Sequence, residues 1–279
     1  MIKIGVGIVT YNPNIERLRM NIESIYKQCK NLVIVDNNSN NINELTELIK
    51  GYNITLIKNI KNLGIATALN QIMATLQSHQ IEWVLTLDQD SVAEEDMLLK
   101  YLDVIDTTNV GIICPTIRDR NTKSESQIRE STSLINRCIT SGALTKISVW
   151  EEAGKYDGQM FIDWVDFDFC IRVEKIGYKI IRVNNAVLMH EIGKITYSQF
   201  LIFKIEVQNH SAFRKFYMAQ NIVYISRKYH YNRVSFMTIL RLLKMIVLVT
   251  FYEENKKSKL MNIFKGIKRG MKLTINFKE

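Results

Sequence analysis

An α/β fold is predicted, with a mainly parallel sheet flanked by helices and a helical segment after it. Three observations predict it. Short apolar runs alternate with segments whose apolar residues recur at helical spacing. Most of those runs stop abruptly at polar clusters. Beyond about residue 196 the chain turns aromatic, basic and helix-like. The expected division is therefore 1–195 and 196–279. At 279 residues, 47% of them hydrophobic and 23% charged, the chain is long enough and apolar enough to bury an ordinary core. No repeat of 20–50 residues is visible, which excludes a solenoid.

Taken in order, residues 2–9 read as the first strand. They could pass for a short signal core, but no small-residue cleavage site follows, and Thr10-Tyr11-Asn12-Pro13 comes directly after. Ile15, Leu18, Ile22, Ile25 and Cys29 mark one face of a helix. Residues 32–35 form a second strand, stopped by Asp36-Asn37-Asn38-Ser39-Asn40, a dense turn signal. A short helix over 43–50, a strand over 54–57 and a loop over 59–64 follow. Ala66, Leu69, Met73 and Leu76 define the next helix, and residues 83–87 the next strand. A helix near 96–105 and a strand at 110–114 complete the alternation, which argues for parallel pairing.

Residues 117–139 are polar and weakly periodic, a long connection with room for one edge strand. A new structured block starts at Thr140-Ser141-Gly142-Ala143. Residues 148–153 read as a short helix ended by Gly154. After the acidic stretch at 163–168, Phe169, Val173 and Ile176 mark a helix ending at Gly177. Residues 178–183 form a strand, and His190-Glu191-Ile192-Gly193 a loop.

The charge is unevenly placed. Net charge is +9, but residues 201–279 hold 16 Lys and Arg against 4 Asp and Glu, whereas residues 1–200 hold 21 against 24. A uniformly basic nucleic-acid binder is excluded by this split. One basic appendage facing an anionic surface fits it. The stretch 236–252 is the most apolar, yet Arg241 and Lys244 interrupt it. A spanning helix needs about 20 predominantly apolar residues, so a helix lying in a membrane interface is expected instead. The plain alternative is a helix packed on the rest of the chain or on a second subunit, giving a homodimer. The four cysteines (Cys29, Cys114, Cys138, Cys170) form no Cys-x-x-Cys pair, so no zinc or redox motif is present. The apolar settings of Cys29, Cys114 and Cys170 suit core thiols in a reducing cytoplasm.

The chemistry concentrates in two acidic groups. In Trp83-Val84-Leu85-Thr86-Leu87-Asp88-Gln89-Asp90-Ser91, a buried-type strand ends in two carboxylates. Hard divalent cations such as Mg2+ and Mn2+ take oxygen ligands, including carboxylates and substrate phosphates. Asp88 and Asp90 therefore read as a metal–diphosphate site at the C-terminal edge of the sheet, where ligands bind in open α/β folds. A surface turn before a helix is the bland alternative.

In the second group, Asp163, Asp166 and Asp168 alternate with large apolar residues ahead of a helix. The helix dipole explains one or two acids there. It does not explain the surrounding Trp164, Phe167 and Phe169. A carboxylate partly desolvated among them is suited to act as a general base. Arg172 can pair with Asp168, which leaves Asp166 as the candidate base.

His190 follows a strand, and its imidazole could complete a Mn2+ coordination sphere. Thr10-Tyr11-Asn12 and Asp36-Asn37 each follow a strand and would line one crevice. An Asp there can accept from N3–H of a pyrimidine, and Tyr11 can stack on the base; ordinary turn chemistry is the alternative. Asn62-Leu63-Gly64 has the same two readings. No Gly-x-Gly-x-x-Gly and no Gly-rich Lys-Ser/Thr loop occurs, which disfavours a dinucleotide cofactor and a P-loop.

Taken together, these residues resemble the family 2 glycosyltransferases of the GT-A fold. The resemblance covers about residues 3–195. It is carried, in order, by Val9-Thr10-Tyr11-Asn12, Val35-Asp36-Asn37, Asn62-Leu63-Gly64, Asp88-Gln89-Asp90, Ser141-Gly142, and Asp166-Phe167-Asp168 with Arg172. Within the family the chain is most similar to bacterial rhamnosyltransferases of O-antigen and capsule polysaccharide synthesis. Leu87 to Ser91, Phe161 to Asp166, and His190 with Gly193 carry that closer likeness. Arg214-Lys215-Phe216-Tyr217 with Asn221 resembles the Arg-x-Tyr-Tyr-x-x-Arg-Asn segment of those enzymes, although Gln220 replaces its second arginine. Many relatives also carry Glu before the base, where this chain has Val165.

The resemblance implies an inverting, metal-dependent transfer from a nucleoside-diphosphate sugar, dTDP-β-L-rhamnose, to a lipid-linked saccharide. The resemblance further implies that transfer would take place at the inner face of the bacterial plasma membrane, with the protein peripherally attached. Donor contacts would come from Thr10, Tyr11, Asn12, Asp36, Asn37, Asn62, Gly64, Asp88 and Gln89. Asp90, His190 and Asp88 would hold Mg2+ or Mn2+. Ser141, Gly142, Asp163 and Trp164 would shape the sugar and acceptor pockets, and Asp166 would be the base. Three other readings stay open: transfer of glucose, galactose or N-acetylglucosamine from a UDP or dTDP donor, a non-catalytic nucleotide-binding scaffold on the same fold, and nucleic-acid binding through the basic and aromatic residues of 214–233.

Overall fold

The structure is a computed structural model. It describes residues 2–119, 130–190, 196–200, 203–207, 209–230 and 233–275. The chain separates into two compact units: Met1–Gly158 with Val165–Glu191, and Gln159–Trp164 with Ile192–Glu279.

The first unit opens with the alternation expected from the sequence: β1 (Ile4–Thr10), α1 (Ile15–Tyr26), β2 (Leu32–Asp36), α2 (Ile42–Ile49), β3 (Ile54–Lys58), α3 (Ile65–Ser78) and β4 (Trp83–Asp88). There follow β5 (Val92–Ala93), α4 (Met97–Leu102), β6 (Val110–Asp119), β7 (Thr132–Ile135), β8 (Ala143–Lys146), α5 (Ile147–Glu152), α6 (Val165–Lys175) and β9 (Lys179–His190). All nine strands join one sheet in the order β3-β2-β1-β4-β8-β6-β9-β5, with β7 also paired to β9.

The pairs β3–β2, β2–β1, β1–β4 and β6–β9 are parallel. Those made by β8, β5 and β7 are antiparallel. The sheet is thus parallel in its first half and mixed in its second, mainly parallel as expected but with antiparallel strands in its second half. The reason is that β8 enters between β4 and β6 against their direction. The order 3-2-1-4 reverses beside β1, so a crevice opens at the C-terminal ends of β1 and β4.

Alternation on β1 shows how sequence sets packing. Val6 and Ile8 are fully buried in a core shared with Leu18, Ile22 and Ile25 of α1. Gly5 and Gly7 point the other way, and a Cβ at Gly7 would overlap Ile72 of α3. The missing side chains let α3 lie directly on the strand. Asn14 caps α1, its side-chain oxygen accepting from the Arg17 N–H at 3.1 Å.

Three expectations need correcting. The strand placed at 178–183 runs to His190, so His190 ends a strand and does not stand in a loop. A register shift between Pro115 and Thr116 of β6 puts β9 residues Asn184 to Ala186 out of step and interrupts the alternation. The helix expected after the acidic stretch begins at Val165, so Asp166 and Asp168 lie inside its first turn. Residues 198–279 are not wholly helical, because β10 (Thr196–Phe200) and β11 (Phe203–Val207) pair antiparallel. The edge strand allowed within 117–139 is present as β7. Residues 120–129 and Gly193 lie outside the described residues.

In the second unit α7 (Ala212–Tyr229), α8 (Phe236–Tyr252) and α9 (Lys256–Lys272) share a small core of Ala219, Ile222, Val223, Leu242, Met245, Val249 and Ile263. A Cβ at Gly266 or Gly270 would overlap the carbonyl oxygens of Phe216 and Gln220, so α7 and α9 meet backbone to backbone. Glu253 is buried between two lysines, accepting from Lys215 Nζ at 2.6 Å and Lys259 Nζ at 2.9 Å. Buried charges need such partners. This triad joins α7 and α9 to the end of α8.

Candidate active site

Register places the polar ends of three strands side by side: Thr10 opposite Asp36 across β1–β2, and Val9 opposite Asp88 across β1–β4. Asp36 is buried, and both of its oxygens are engaged. Oδ1 accepts from Thr10 Oγ1 at 2.9 Å and from the Ser39 hydroxyl, and Oδ2 accepts from the Ser39 N–H at 2.8 Å. Asn12 has positive φ, and its Oδ1 accepts from Asn40 N–H at 2.7 Å while its own N–H donates to Ser39 Oγ. The loops after β1 and β2 are thereby knitted into one floor. Above it the Tyr11 side chain is half exposed. Asn37 is buried and donates to the Gly64 carbonyl at 3.3 Å. Asn62 Oδ1 accepts from the Gly64 N–H at 2.9 Å, and Gly64, with φ +83°, opens α3. The structure therefore brings together Thr10, Tyr11, Asn12, Asp36, Asn37, Asn62 and Gly64.

Asp88, Gln89 and Asp90 leave β4 beside this floor. Gln89 uses its side chain to imitate a strand partner: Oε1 accepts from Tyr11 N–H at 2.8 Å, and Nε2 donates to Tyr11 O at 3.4 Å. It ties the acidic turn to the loop after β1. Ligand atoms of Asp88, Asp90 and His190 all lie within 4.8 Å of one another. His190 arrives from the end of β9, its Nδ1 3.7 Å from Asp90 Oδ1. Burial raises the pKa of Asp88; the nearby His190 opposes that shift and the Asp90 charge adds to it. Two carboxylates and an imidazole form a donor set suited to Mn2+ or Mg2+. The excess negative charge at Asp88 and Asp90 is what a divalent cation would offset.

Behind these three side chains runs a chain of hydroxyls. The Asp88 N–H donates to Ser141 Oγ at 3.0 Å, Ser141 and Ser91 hydroxyls lie 2.7 Å apart, and Ser91 Oγ lies 3.0 Å from His190 Nδ1. Ser91 and Ser141 are both buried. Ser141, expected at the sugar pocket, thus spends its side chain holding the acidic turn. Gly142 works similarly: at φ +82° its N–H donates to Thr86 O at 2.7 Å, and its carbonyl accepts from Tyr101 OH at 2.8 Å. The sequence reading gave no role to Ser91 or to Asn21, whose amide donates to Asp88 O at 2.6 Å. Asn21 had a legible signal, a polar residue on the buried face of α1.

On α6 the two acids separate. Asp168 is fully buried and accepts from Arg172 Nε at 2.9 Å and Nη2 at 2.8 Å. Arg172 Nη1 also donates to Ala153 O, and to Lys155 O at 2.6 Å. Asp166 is partly exposed and accepts from the Phe167 N–H at 2.8 Å. Of the aromatics expected around the base, Phe169 is buried against Tyr156, ring centroids 4.5 Å apart. Asp163 and Trp164 belong to the second unit. There Arg214 binds Asp163 through Nη2 at 2.8 Å and Nε at 3.2 Å, and Arg241 lies over the Trp164 ring.

Comparison with known proteins fits this arrangement. The family model described as glycosyl transferase family 2 matches residues 5–173. The dTDP-rhamnosyl transferase RfbF of Shigella flexneri is 27% identical over 241 residues, covering 80% of this chain and 79% of that protein. Among solved structures, S. aureus TarS 1–349 superposes with a TM-score of 0.62 at 12% identity, over 97% of this chain and 81% of that one. Its complex with UDP gives 0.60 at 13%, over 96% and 81%. GalNAc-T7 with UDP, GalNAc and Mn2+ gives 0.58 at 13%; it covers 97% of this chain, which spans 56% of that enzyme. At these identities the structural likeness speaks for the fold.

Proposed function

The chain belongs to glycosyl transferase family 2, and from that premise we propose that it is an inverting, metal-dependent rhamnosyltransferase. Its donor is dTDP-β-L-rhamnose and its acceptor a lipid-linked saccharide of surface polysaccharide synthesis at the inner face of the bacterial plasma membrane. The observation that carries the chemistry is the convergence of Asp88, Asp90 and His190 at the C-terminal edge of β4, beside the crevice next to β1. The choice of sugar is supported by the 27% identical relative named as a dTDP-rhamnosyl transferase.

In this reading Asp36 and Tyr11 receive the pyrimidine, with Thr10, Asn12, Asn37, Asn62 and Gly64 shaping the floor. Gln89 keeps that floor in register with the diphosphate end. Asp88, Asp90 and His190 would hold Mg2+ or Mn2+. A cation there supplies a Lewis acid that offsets charge on the departing diphosphate. Asp166 accepts the proton of the acceptor hydroxyl as that oxygen bonds to the anomeric carbon. The bond from that carbon to the diphosphate oxygen breaks on the opposite side, and dTDP leaves.

The test offers the purified protein dTDP-L-rhamnose, UDP-glucose, UDP-galactose and UDP-N-acetylglucosamine, each with Mn2+ or with EDTA, and measures nucleoside diphosphate release. Release from the rhamnose donor alone, abolished by EDTA, is expected. Selective release from a UDP sugar would overturn the sugar, and release indifferent to EDTA would overturn the metal.

A further inference from the structure

Helix α8 has two apolar faces, and the bundle uses only one. Thr238, Leu242, Met245 and Val249 recur every three or four residues and are buried. On the opposite side Phe236, Leu240, Leu243, Val247 and Phe251 recur in the same way, and all are exposed, Phe236 at 72% and Phe251 at 68%. A helix packed only in a soluble bundle carries polar residues on that outer face. A continuous apolar stripe of this kind marks an interaction surface.

The charge carried by α8 and α9 selects the partner of the stripe. Together α8 and α9 carry nine Lys and Arg and not one Asp or Glu; eight of them are exposed, and the ninth, Lys259, is buried against Glu253. Lys244 is exposed at the edge of the stripe. Helix α9 sets exposed Phe264 between Lys257 and Lys268, next to Lys265. Apposing two copies of such a surface would set cation against cation. An anionic lipid surface satisfies both features: its acyl boundary takes the stripe, and its headgroups take the cations. Among the described residues no helix is long and apolar enough to cross a membrane, so α8 lies along the surface.

We propose that the outer face of α8 is the membrane-insertion surface of this protein, and that the cations of α8 and α9 select anionic bilayers. This deepens the reading of a lipid-linked acceptor, and it is tested without donor or acceptor. The full chain and the variant Leu243→Ser/Val247→Ser are sedimented with phosphatidylcholine vesicles, with or without phosphatidylglycerol. Both substitutions fall on exposed positions, and unchanged circular dichroism together with an unchanged urea-unfolding midpoint checks that the fold persists. The wild-type chain should pellet with the phosphatidylglycerol vesicles, less so in high salt, and the variant should bind at least about tenfold more weakly. Two results would overturn the proposal: equal partition of variant and wild type, or a concentration-dependent dimer by light scattering that the variant abolishes. The second would assign the stripe to a second copy. Loss of donor release with vesicle binding intact would sink the transferase reading and leave the surface standing.

Discussion

Asp166 and Asp168 stand two positions apart on a helix, so they point to nearly opposite sides of it. That geometry gives two carboxylates of the same segment different work. Asp168, fully buried, is neutralised by Arg172 one turn later, and Arg172 in turn closes the 153–155 turn through its backbone carbonyls. Asp166 keeps part of its surface open. Asp166→Asn should therefore lower kcat by about 10²–10⁴ and leave the unfolding free energy within about 0.5 kcal/mol. Asp168→Ala should instead lower stability by up to about 3 kcal/mol, since it strands a guanidinium in a mostly buried site. Turnover and urea unfolding on both variants check this, and a stability loss in the Asn variant would remove Asp166 from its role. The pairing of Asp168 with Arg172 was legible because i, i+4 spacing is visible in a sequence. The Ser141–Ser91–His190 chain was not, since its members come from positions 50 and 99 residues apart and meet only through the sheet. A serine after two acids reads as turn chemistry, and only its burial shows that it orients a ring.

At the scale of elements, what the sequence revealed depended on length. Strands β1 to β4 and helices α1 to α3 are long enough, or bounded sharply enough, for their period to be read. Strand β8 has four residues and β10 and β11 five each, too few to separate a period of two from 3.6. Strand β9 was cut short because its middle slips register against β6. The segment before α6 was read as acids among aromatics, and its backbone was invisible. Asp163 and Trp164 both have positive φ, 66° and 68°, a conformation that costs side-chain-bearing residues roughly 1–2 kcal/mol each. One face of α7 offsets that cost. Asn221 Nδ2 donates to Ile162 O and Asp163 O, both at 2.8 Å, Arg214 grips the Asp163 carboxylate, and the Tyr217 ring stacks on Phe161. Asn221 is fully buried, so Asn221→Ala strands two carbonyls and should cost about 1–3 kcal/mol. Trp83 and Trp150 are buried, whereas Trp164 is partly exposed. Acrylamide quenching of tryptophan emission should therefore rise in the variant as the 161–164 segment loosens. Unaltered quenching and stability would mean that α7 does not hold it.

At the scale of the whole molecule the dominant property is the division of charge. The surplus of the chain sits in residues 201–279, with 16 cations against 4 acids, and this was legible from counting alone. Its consequence for stability required the structure. His210 is partly buried in the cationic unit, with Arg214 and Lys215 near it; burial first, and then those charges, lower its pKa to about 4 against the opposing pull of Asp163 and Glu253. In the unfolded chain the same imidazole takes up its proton near 6.5. Between those values the unfolded state binds more protons than the folded state, so stability rises with pH across that window. Read in the other direction, the neutral His210 contributes nothing unfavourable above about pH 6.5, and its forced neutrality weakens the fold progressively as the pH falls towards 4. Below that value both states carry the proton and the penalty stops growing. His210→Gln removes the titration while keeping a polar side chain. Urea unfolding of both proteins at intervals from pH 7.5 to pH 4 reads the effect as a difference. The two curves should run parallel above about 6.5 and then diverge, the wild-type chain losing stability faster. Carboxylates elsewhere titrate in both proteins and cancel in the comparison. Curves that stay parallel down to pH 4 would show that His210 gains its proton in the folded chain as readily as in the unfolded one, and that the surrounding cations are too well solvated to hold it neutral.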